Sequence, residues 1–210
     1  MARTFRAAVP FAAAALAFAL GSCGGEKGDA AGEDSKGGTG APAAQASPLF
    51  PDGFKGVCSG ASVSTATAYD PAAAAHKALY FATWKDDFTD RSSSLPGDWT
   101  INWSPEGDAL RGIDLVVCAR RTAAREVKVC DGYKNDGRET QNKVRWHAAT
   151  YALSVMEART GKKLAETTAE ATSDVCPMLM SFDGDSDIVD GYASLSDSVV
   201  ADFVRPHIAR

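Results

Sequence analysis

Short runs of β-branched and aromatic residues, separated by polar and glycine-containing segments, recur between residues 78 and 172. Such runs are typical of β-strands. They predict strands at residues 78–84, 113–120, 125–130, 144–157 and 163–172, of which the second and third would form a hairpin. Because residues 144–157 carry apolar side chains on both faces, we expect that strand to be central in the sheet.

The pattern changes near the C-terminus, where apolar residues recur at helical spacing. Ser196 suits the N-cap and Asp197 suits the positive end of the helix dipole, while Pro206 should end or kink the helix within a turn. The apolar side of this helix consists of Val199, Val200, Phe203 and Val204. The sequence therefore predicts a mainly β fold of the α+β type, an antiparallel sheet or sandwich with a C-terminal helix packed on it.

Residues 1–22 have a different layout, in which Arg3 and Arg6 precede an apolar stretch at residues 7–20. A charged segment followed by an apolar one is typical of a secretory signal peptide. The apolar stretch is shorter than the roughly 20 residues that a membrane-spanning helix needs. We therefore expect the chain to be exported and this segment to be removed.

The signal segment ends in Leu20-Gly21-Ser22-Cys23, which resembles the lipobox of bacterial lipoproteins. In that family an aliphatic residue lies three positions before the cysteine, and small residues fill the two positions between them. The resemblance implies cleavage before Cys23 and a diacylglyceryl group on its thiol, and two or three acyl chains make a durable anchor. An ordinary signal peptide with a chance cysteine is the alternative.

Residues 23–50 are rich in Gly, Ala, Ser and charged residues and contain almost no large apolar side chain. This composition favours a flexible tether because it offers little apolar surface to bury. A glycine-rich coil of this length has a root-mean-square reach of roughly 25–30 Å. Residues 51–210 can bury about two-thirds of their unfolded surface around one core, so we expect a single extracytoplasmic domain there.

The chain is mildly acidic, with a formal net charge of −5 that becomes −7 once Arg3 and Arg6 are removed. Nucleic acids and anionic lipid headgroups attract clustered Lys and Arg, so this charge argues against both as partners. We therefore expect the lipid on Cys23 to supply the contact with the bilayer. The location would be the outer face of a Gram-positive membrane, or the periplasm or outer membrane of a Gram-negative cell.

The mature domain contains four cysteines, Cys58, Cys118, Cys130 and Cys176, an even number that fits two disulfides outside the cytoplasm. Three connectivities are open. We favour Cys118–Cys130 across the predicted hairpin, with Cys58–Cys176 tying the start of the domain to its last third. The first bridge requires slipped or bulged strands, since a turn at Thr122 would place Cys118 opposite Val127. Zinc is the alternative, but no two of these cysteines have the usual spacing of two to four residues.

Several short elements of the mature domain together resemble an uncharacterised family of exported bacterial domains with four cysteines. The resemblance implies structural cysteines, a β-rich fold and an extracytoplasmic location, and it carries no catalytic residues across. The elements are Gly56-Val57-Cys58-Ser59-Gly60, Leu95-Pro96 before Trp99, Leu115-Val116-Val117-Cys118, Cys130, Trp146 and Cys176-Pro177.

Two segments could be mistaken for reactive or metal-binding motifs. Residues 56–60 match a nucleophile elbow with Cys58 in place of serine, but no strand precedes them and a disulfide would remove the thiol. The aspartates Asp183, Asp185, Asp187 and Asp190 could converge on calcium. However, Ile188 and Ser194 occupy the EF-hand positions of the required Gly and Glu, so a solvated acidic loop is the favoured interpretation. Residues 135–137, Asn-Asp-Gly, predict a turn.

The histidines and tryptophans are dispersed. His76, His147 and His207 show no metal-ligand spacing, so we expect hydrogen-bonded structural imidazoles instead of a general base. Tryptophans in a small domain usually belong to its core, although they can also line a carbohydrate groove. The four are Trp84, Trp99, Trp103 and Trp146, of which Trp99 and Trp103 lie in a loop-rich stretch and are the two expected to be exposed.

No motif therefore demands an enzyme, a metal or a cofactor. The sequence favours a non-catalytic binding or structural module of the cell envelope, with the bilayer as one partner through Cys23 and an envelope protein or glycan as another. The alternative is an extracytoplasmic hydrolase in which Asp86, Asp87 and Asp90 converge with the Asp183 loop in one cleft.

Overall fold

A computed structural model of the chain describes residues 49–102, 104 and 108–208. The predicted signal peptide, Cys23, the tether up to residue 48 and Trp103 lie outside the described residues. The strands are β1 (Ala78–Trp84), β2 (Asp87–Asp90), β3 (Leu115–Cys130), β4 (Lys134–Asn135), β5 (Arg138–Glu139), β6 (Lys143–Glu157), β7 (Lys163–Ala171) and β8 (Ile188–Tyr192). One α-helix, α1 (Asp197–Ile208), follows them, and 3-10 helices span Pro51–Ser59, Ser92–Ser94 and Ala109–Gly112.

The main sheet has the strand order β2-β1-β3-β6-β7, with β8 also paired to β6. Strands β1 and β3 run parallel, as do β6 and β8, while the remaining pairs of this sheet are antiparallel. The mainly β fold with a C-terminal helix and two disulfides is confirmed. The sheet is mixed because β2 pairs with one edge of β1, and the chain then crosses back to place β3 along the other edge of β1, parallel to it.

The predicted hairpin at residues 113–130 is wrong, because β3 is one continuous strand of 16 residues. The predicted turn at Thr122 and Ala123 is instead a β-bulge, at which the pairing with β6 shifts register between Arg121 and Ala123. A second register shift lies between Glu126 and Lys128. The strand stays extended through both because β6 pairs with it from Leu115 to Cys130.

Both faces of the sheet are covered, which explains why β6 is apolar on both sides. On one face Tyr80 and Leu153 belong to the same buried cluster as Val200 and Val204 of α1. On the other, Phe54 of the first 3-10 helix joins a second cluster that includes Phe81 and Val116. Successive strand residues point to opposite faces, so β1 and β3 contribute to both clusters.

The C-terminal helix begins as predicted. The hydroxyl of Ser196 accepts a hydrogen bond from the Val199 N–H at 3.4 Å, which is the N-cap interaction. Pro206 lies in the last described turn of α1. None of the helices that the structure describes is long and apolar enough to cross a membrane.

The four cysteines form two disulfides as expected, but the favoured pairing is wrong. Cys58 bonds to Cys118 with an S–S distance of 1.97 Å, and Cys130 bonds to Cys176 at 2.03 Å. Cys118 and Cys130 lie on the same extended strand, and twelve residues at about 3.3 Å per residue separate them by roughly 40 Å. No bridge can span that distance. The two bridges instead link Cys118, near the start of β3, to the 3-10 helix Pro51–Ser59, and Cys130, at the end of β3, to the loop after β7.

Candidate ligand pocket

A pocket of about 180 Å³ opens on the helix-covered face of the sheet, where β1, β3, β6 and the end of β8 approach the start of α1. Its side chains come from segments distant in sequence, and the strand pairing brings them together. The principal residues are Tyr80, Trp84, Arg91, Arg121, Tyr151, Tyr192 and Asp197.

Two buried tyrosines form the floor of this pocket. The Tyr151 hydroxyl donates a hydrogen bond to the Ala193 carbonyl at 2.9 Å, and Tyr80 is only 5 % exposed. Burial, with a smaller contribution from the neighbouring Tyr151, raises the pKa of Tyr80 to about 12. Burial also raises the pKa of Tyr151, against the opposing effect of Arg121. Both phenols are therefore neutral hydrogen-bond donors at physiological pH.

Two arginines bring positive charge to the same place. The Arg121 guanidinium donates to the Lys85 carbonyl at 2.6 Å and lies 3.5 Å from the centre of the Tyr192 ring, so its orientation is fixed. Arg91 is exposed and makes no ion pair within the described part of the chain. It lines the same pocket as Tyr80 and Tyr151, and its charge lowers the pKa of both phenols.

Asp197 is the single carboxylate among the described residues that line the pocket. Its charge raises the pKa of Tyr80. Two guanidinium groups against one carboxylate leave the lining with a net positive charge, although the whole chain is acidic. The pocket is therefore suited to a ligand that carries negative charge.

The Tyr192 ring is held by a polar cluster behind it. It stacks on His147 with 5.0 Å between ring centres, and His147 Nε2 lies 2.8 Å from Asp190 Oδ1. Arg145 pairs with the same carboxylate at 2.9 Å. The hydrogen bond from His147 lowers the pKa of Asp190, and the hydrogen bond and charge of Arg145 add to this effect against the opposing effect of burial. His147 is therefore hydrogen-bonded, and it connects the Asp190 carboxylate to the Tyr192 ring.

The aspartates of residues 183–190, for which the sequence favours a solvated loop over a calcium site, have different hydrogen-bond partners. Asp187 accepts the Asp183 backbone N–H at 2.7 Å, while its own backbone N–H donates to the Asn142 side chain. Asp190 is bound to His147 and Arg145 instead. Throughout residues 49–102, 104 and 108–208, no three His, Cys, Asp or Glu side chains are grouped to hold a metal ion.

The carboxylates that the hydrolase alternative requires are not brought together. Asp87 pairs with Lys55 at 3.5 Å and Asp90 accepts the Ser92 hydroxyl at 2.6 Å, both at the β1–β2 edge of the sheet. The Asp183 loop leads into β8, which lies beyond β1, β3 and β6. Asp190 pairs instead with Arg145 and His147, so the carboxylates of the two groups have different partners.

The remaining histidines and the cysteine motif lie away from the pocket. His76 and Asp114 are both buried, with 2.5 Å between Nδ1 and Oδ2, and Asp114 also accepts the Lys77 N–H. Burial lowers the pKa of His207. Cys58 lies in the 3-10 helix Pro51–Ser59 with its thiol in a disulfide, so residues 56–60 have neither the context nor the nucleophile of an elbow.

The tryptophans differ from the expected pattern. Trp99 is only 5 % exposed, so the prediction that it is exposed is wrong; its loop closes over the sheet and its carbonyl accepts the Ala78 N–H at 2.7 Å. Trp146 is 9 % exposed and donates to the Ser173 carbonyl. Trp84 is 45 % exposed at the pocket, where the cover of β1 ends. The sequence contains a signal for this location of Trp84. Tyr80 and Trp84 are four residues apart on one strand, so their side chains lie on the same face.

No family model, no curated protein and no solved structure matches this chain. The interpretation of the pocket therefore depends on its own chemistry.

Proposed function

We propose that this chain is a non-catalytic binding module, held outside the cytoplasm by lipid on Cys23, whose pocket binds a small anionic ligand. The observation that carries the proposal is the meeting of Arg91 and Arg121 with the buried Tyr80 phenol in one pocket. Arginine offers planar, charge-assisted donors to carboxylate or phosphate oxygens. A neutral phenol adds a further donor.

The proposed location is supported by the disulfides. Proteins keep such bonds in oxidising compartments, and thiols in the cytoplasm are usually kept reduced. The charged and then apolar layout of residues 1–22, followed by Leu20-Gly21-Ser22-Cys23, supplies an export signal and a lipid-attachment motif in the expected order. These two independent features favour the same side of the membrane.

A binding role is favoured over hydrolysis because of what lines the pocket. General acid–base hydrolysis of a glycoside uses two carboxyl groups, and acyl transfer uses a nucleophile paired with a base. The described lining provides one carboxylate, Asp197, and neither histidine nor free thiol. Ser94 and Ser194 also line the pocket, with no histidine among the described lining residues.

We expect Cys23→Ala to abolish incorporation of a fatty-acid analogue into the chain when it is expressed in a bacterium. The reason is that the thioether requires a thiol at this position, and no other side chain there can replace it. In-gel detection after metabolic labelling measures the effect. Ser22→Ala is the matched control, because it keeps a small residue before the cysteine and should be labelled as wild type is. Acylation of the Cys23→Ala chain at the wild-type level would contradict the anchor.

We expect Arg91→Gln to weaken binding of small carboxylates such as succinate and citrate by roughly 10- to 100-fold, the effect of losing one charge-assisted contact. Isothermal titration of the full-length protein in detergent measures it. Arg138→Gln, on the exposed β4–β5 hairpin, is the matched control and should leave the affinity unchanged. Equal affinities for wild type and Arg91→Gln, or turnover of an ester or glycoside that depends on Asp197, would refute the proposal.

A further inference from the structure

The pocket is lined by side chains that the binding of a simple anion does not require. A bare carboxylate or phosphate is satisfied by Arg91, Arg121 and the Tyr80 hydroxyl, and it gains nothing from a half-exposed indole. Yet Trp84, at 45 % exposure, borders the same pocket. Apolar aromatic surface exposed beside hydrogen-bond donors is suited to a ligand that has an apolar face as well as polar edges.

Asp197 is the second feature that a simple anion leaves unexplained. An ionised carboxylate is only an acceptor, so it repels an anion and favours a ligand that also donates hydrogen bonds. Asp197 lies at the first turn of α1, close enough to influence Tyr80, and Ser194 also lines the pocket. The lining therefore offers donors for a negative group and an acceptor for hydroxyl groups.

The size of the pocket restricts the ligand further. At about 180 Å³ it is smaller than the 300–1,000 Å³ typical of sites for drug-sized molecules. It can take a single ring with its substituents, while the rest of a longer ligand would extend into solvent past Trp84.

We infer that the ligand is a carboxylated pyranose, a sugar acid, either free or as one residue of an acidic glycan. The inference rests on the proposed anion-binding function of the same pocket and adds that a sugar ring carries the anionic group. The apolar C–H face of the sugar lies on the Trp84 indole, its carboxylate is bound by Arg91 and Arg121, and its hydroxyl groups donate to Asp197. Arg121 can perform its part without reorganisation because Lys85 and Tyr192 already fix its guanidinium.

The test compares three probes on the full-length protein by isothermal titration: methyl β-glucuronide, methyl β-glucoside and succinate. The glucuronide has ring and charge, the glucoside has the ring alone, and succinate has charge alone. We expect the glucuronide to bind at least roughly tenfold more tightly than either of the others, since it alone uses both parts of the pocket.

Trp84→Ala should weaken the glucuronide roughly tenfold and leave succinate unchanged, whereas Trp84→Phe should recover part of the loss. Arg91→Gln should weaken the glucuronide and succinate together. Leu179→Ala, which removes an apolar side chain that is 89 % exposed on a different loop, is the matched control and should change neither affinity.

The two proposals fail in different ways. If succinate binds as tightly as the glucuronide and Trp84→Ala affects neither, the sugar is wrong and the anion-binding pocket stands. If neither carboxylate binds and the glucoside does, the anion-binding function itself is overturned, and with it the sugar acid. Binding of the glucuronide that is insensitive to both Trp84→Ala and Arg91→Gln would place the ligand elsewhere and overturn both.

Discussion

Replacing Cys58 and Cys118 together by alanine should lower the free energy of unfolding by about 4 kcal/mol, the chain-entropy contribution of a bridge that closes a loop of this length. The two cysteines are 60 residues apart in sequence. Their bond links the first 3-10 helix to β3, which has strand neighbours on both sides. Without it, the cover of one sheet face is held by apolar packing, the Lys55–Asp87 ion pair and the hydrogen bond from Arg120 to the Cys58 carbonyl.

Chemical denaturation of the double variant against wild type measures this difference, with the far-ultraviolet circular dichroism of the native state as a check on the fold. The Cys130/Cys176 double variant is the matched comparison, since its loop of 46 residues predicts a similar loss on the same argument. Peptide mapping without reduction tests the pairing itself. Recovery of a peptide that joins Cys118 to Cys130, or a loss well below 1 kcal/mol in the first variant, would contradict the structure.

Gly161→Ala should be the most damaging single substitution at a turn, with a loss of roughly 3 kcal/mol. Gly161 adopts a φ of +71° between β6 and β7, where an L-residue is strained. A Cβ atom there would lie 2.4 Å from the Ala61 carbonyl oxygen and 2.6 Å from that of Gly60. Backbone atoms cannot rotate away as a side chain can, so the hairpin would have to lift off the segment that follows Cys58.

Gly132→Ala separates the two causes. Gly132 has nearly the same dihedral, with φ of +77°, but a Cβ atom there meets nothing within 4 Å. Its replacement should therefore cost only the conformational part, about 1 kcal/mol. Equal losses for the two variants in denaturant unfolding would show that the close approach of Gly161 to residues 60 and 61 is not formed in the native state.

Local periodicity predicted the elements whose own residue pattern is typical of a strand or a helix. Strand β1 matches its predicted bounds, β6 and β7 differ by one residue each, and Ser196 caps α1 as expected. The prediction of a hairpin failed because residues 122–125 are small or polar and exposed, and so resemble a turn. They remain extended because a partner strand more than 20 residues later pairs with them, and no local pattern carries that information. The wrong disulfide pairing followed from the wrong hairpin.

The pocket was missed for a related reason. Tyr80, Arg121, Tyr151 and Tyr192 lie on four different strands, and only the register of the sheet and its bulge bring them together. Each of them is unremarkable in its own segment. The aspartates of residues 183–190 attracted attention by sequence proximity, but hydrogen bonds to different partners separate them. The burial of Trp99 likewise depends on tertiary structure, because the loop before β3 closes over the sheet at this residue.

The arrangement of the two disulfides has a mechanical consequence. A pull applied between residues 49 and 208 travels along the shortest covalent route, which passes from Cys58 to Cys118, along β3, and from Cys130 to Cys176. Spans of 60 and 46 residues, worth roughly 200 Å and 150 Å of extended chain, are bypassed and bear no load. Strands β1, β6 and β7, and with them the floor of the pocket, lie in those unloaded spans. Tension between residues 49 and 208 would therefore pass through β3, while most of the residues that line the pocket are spared.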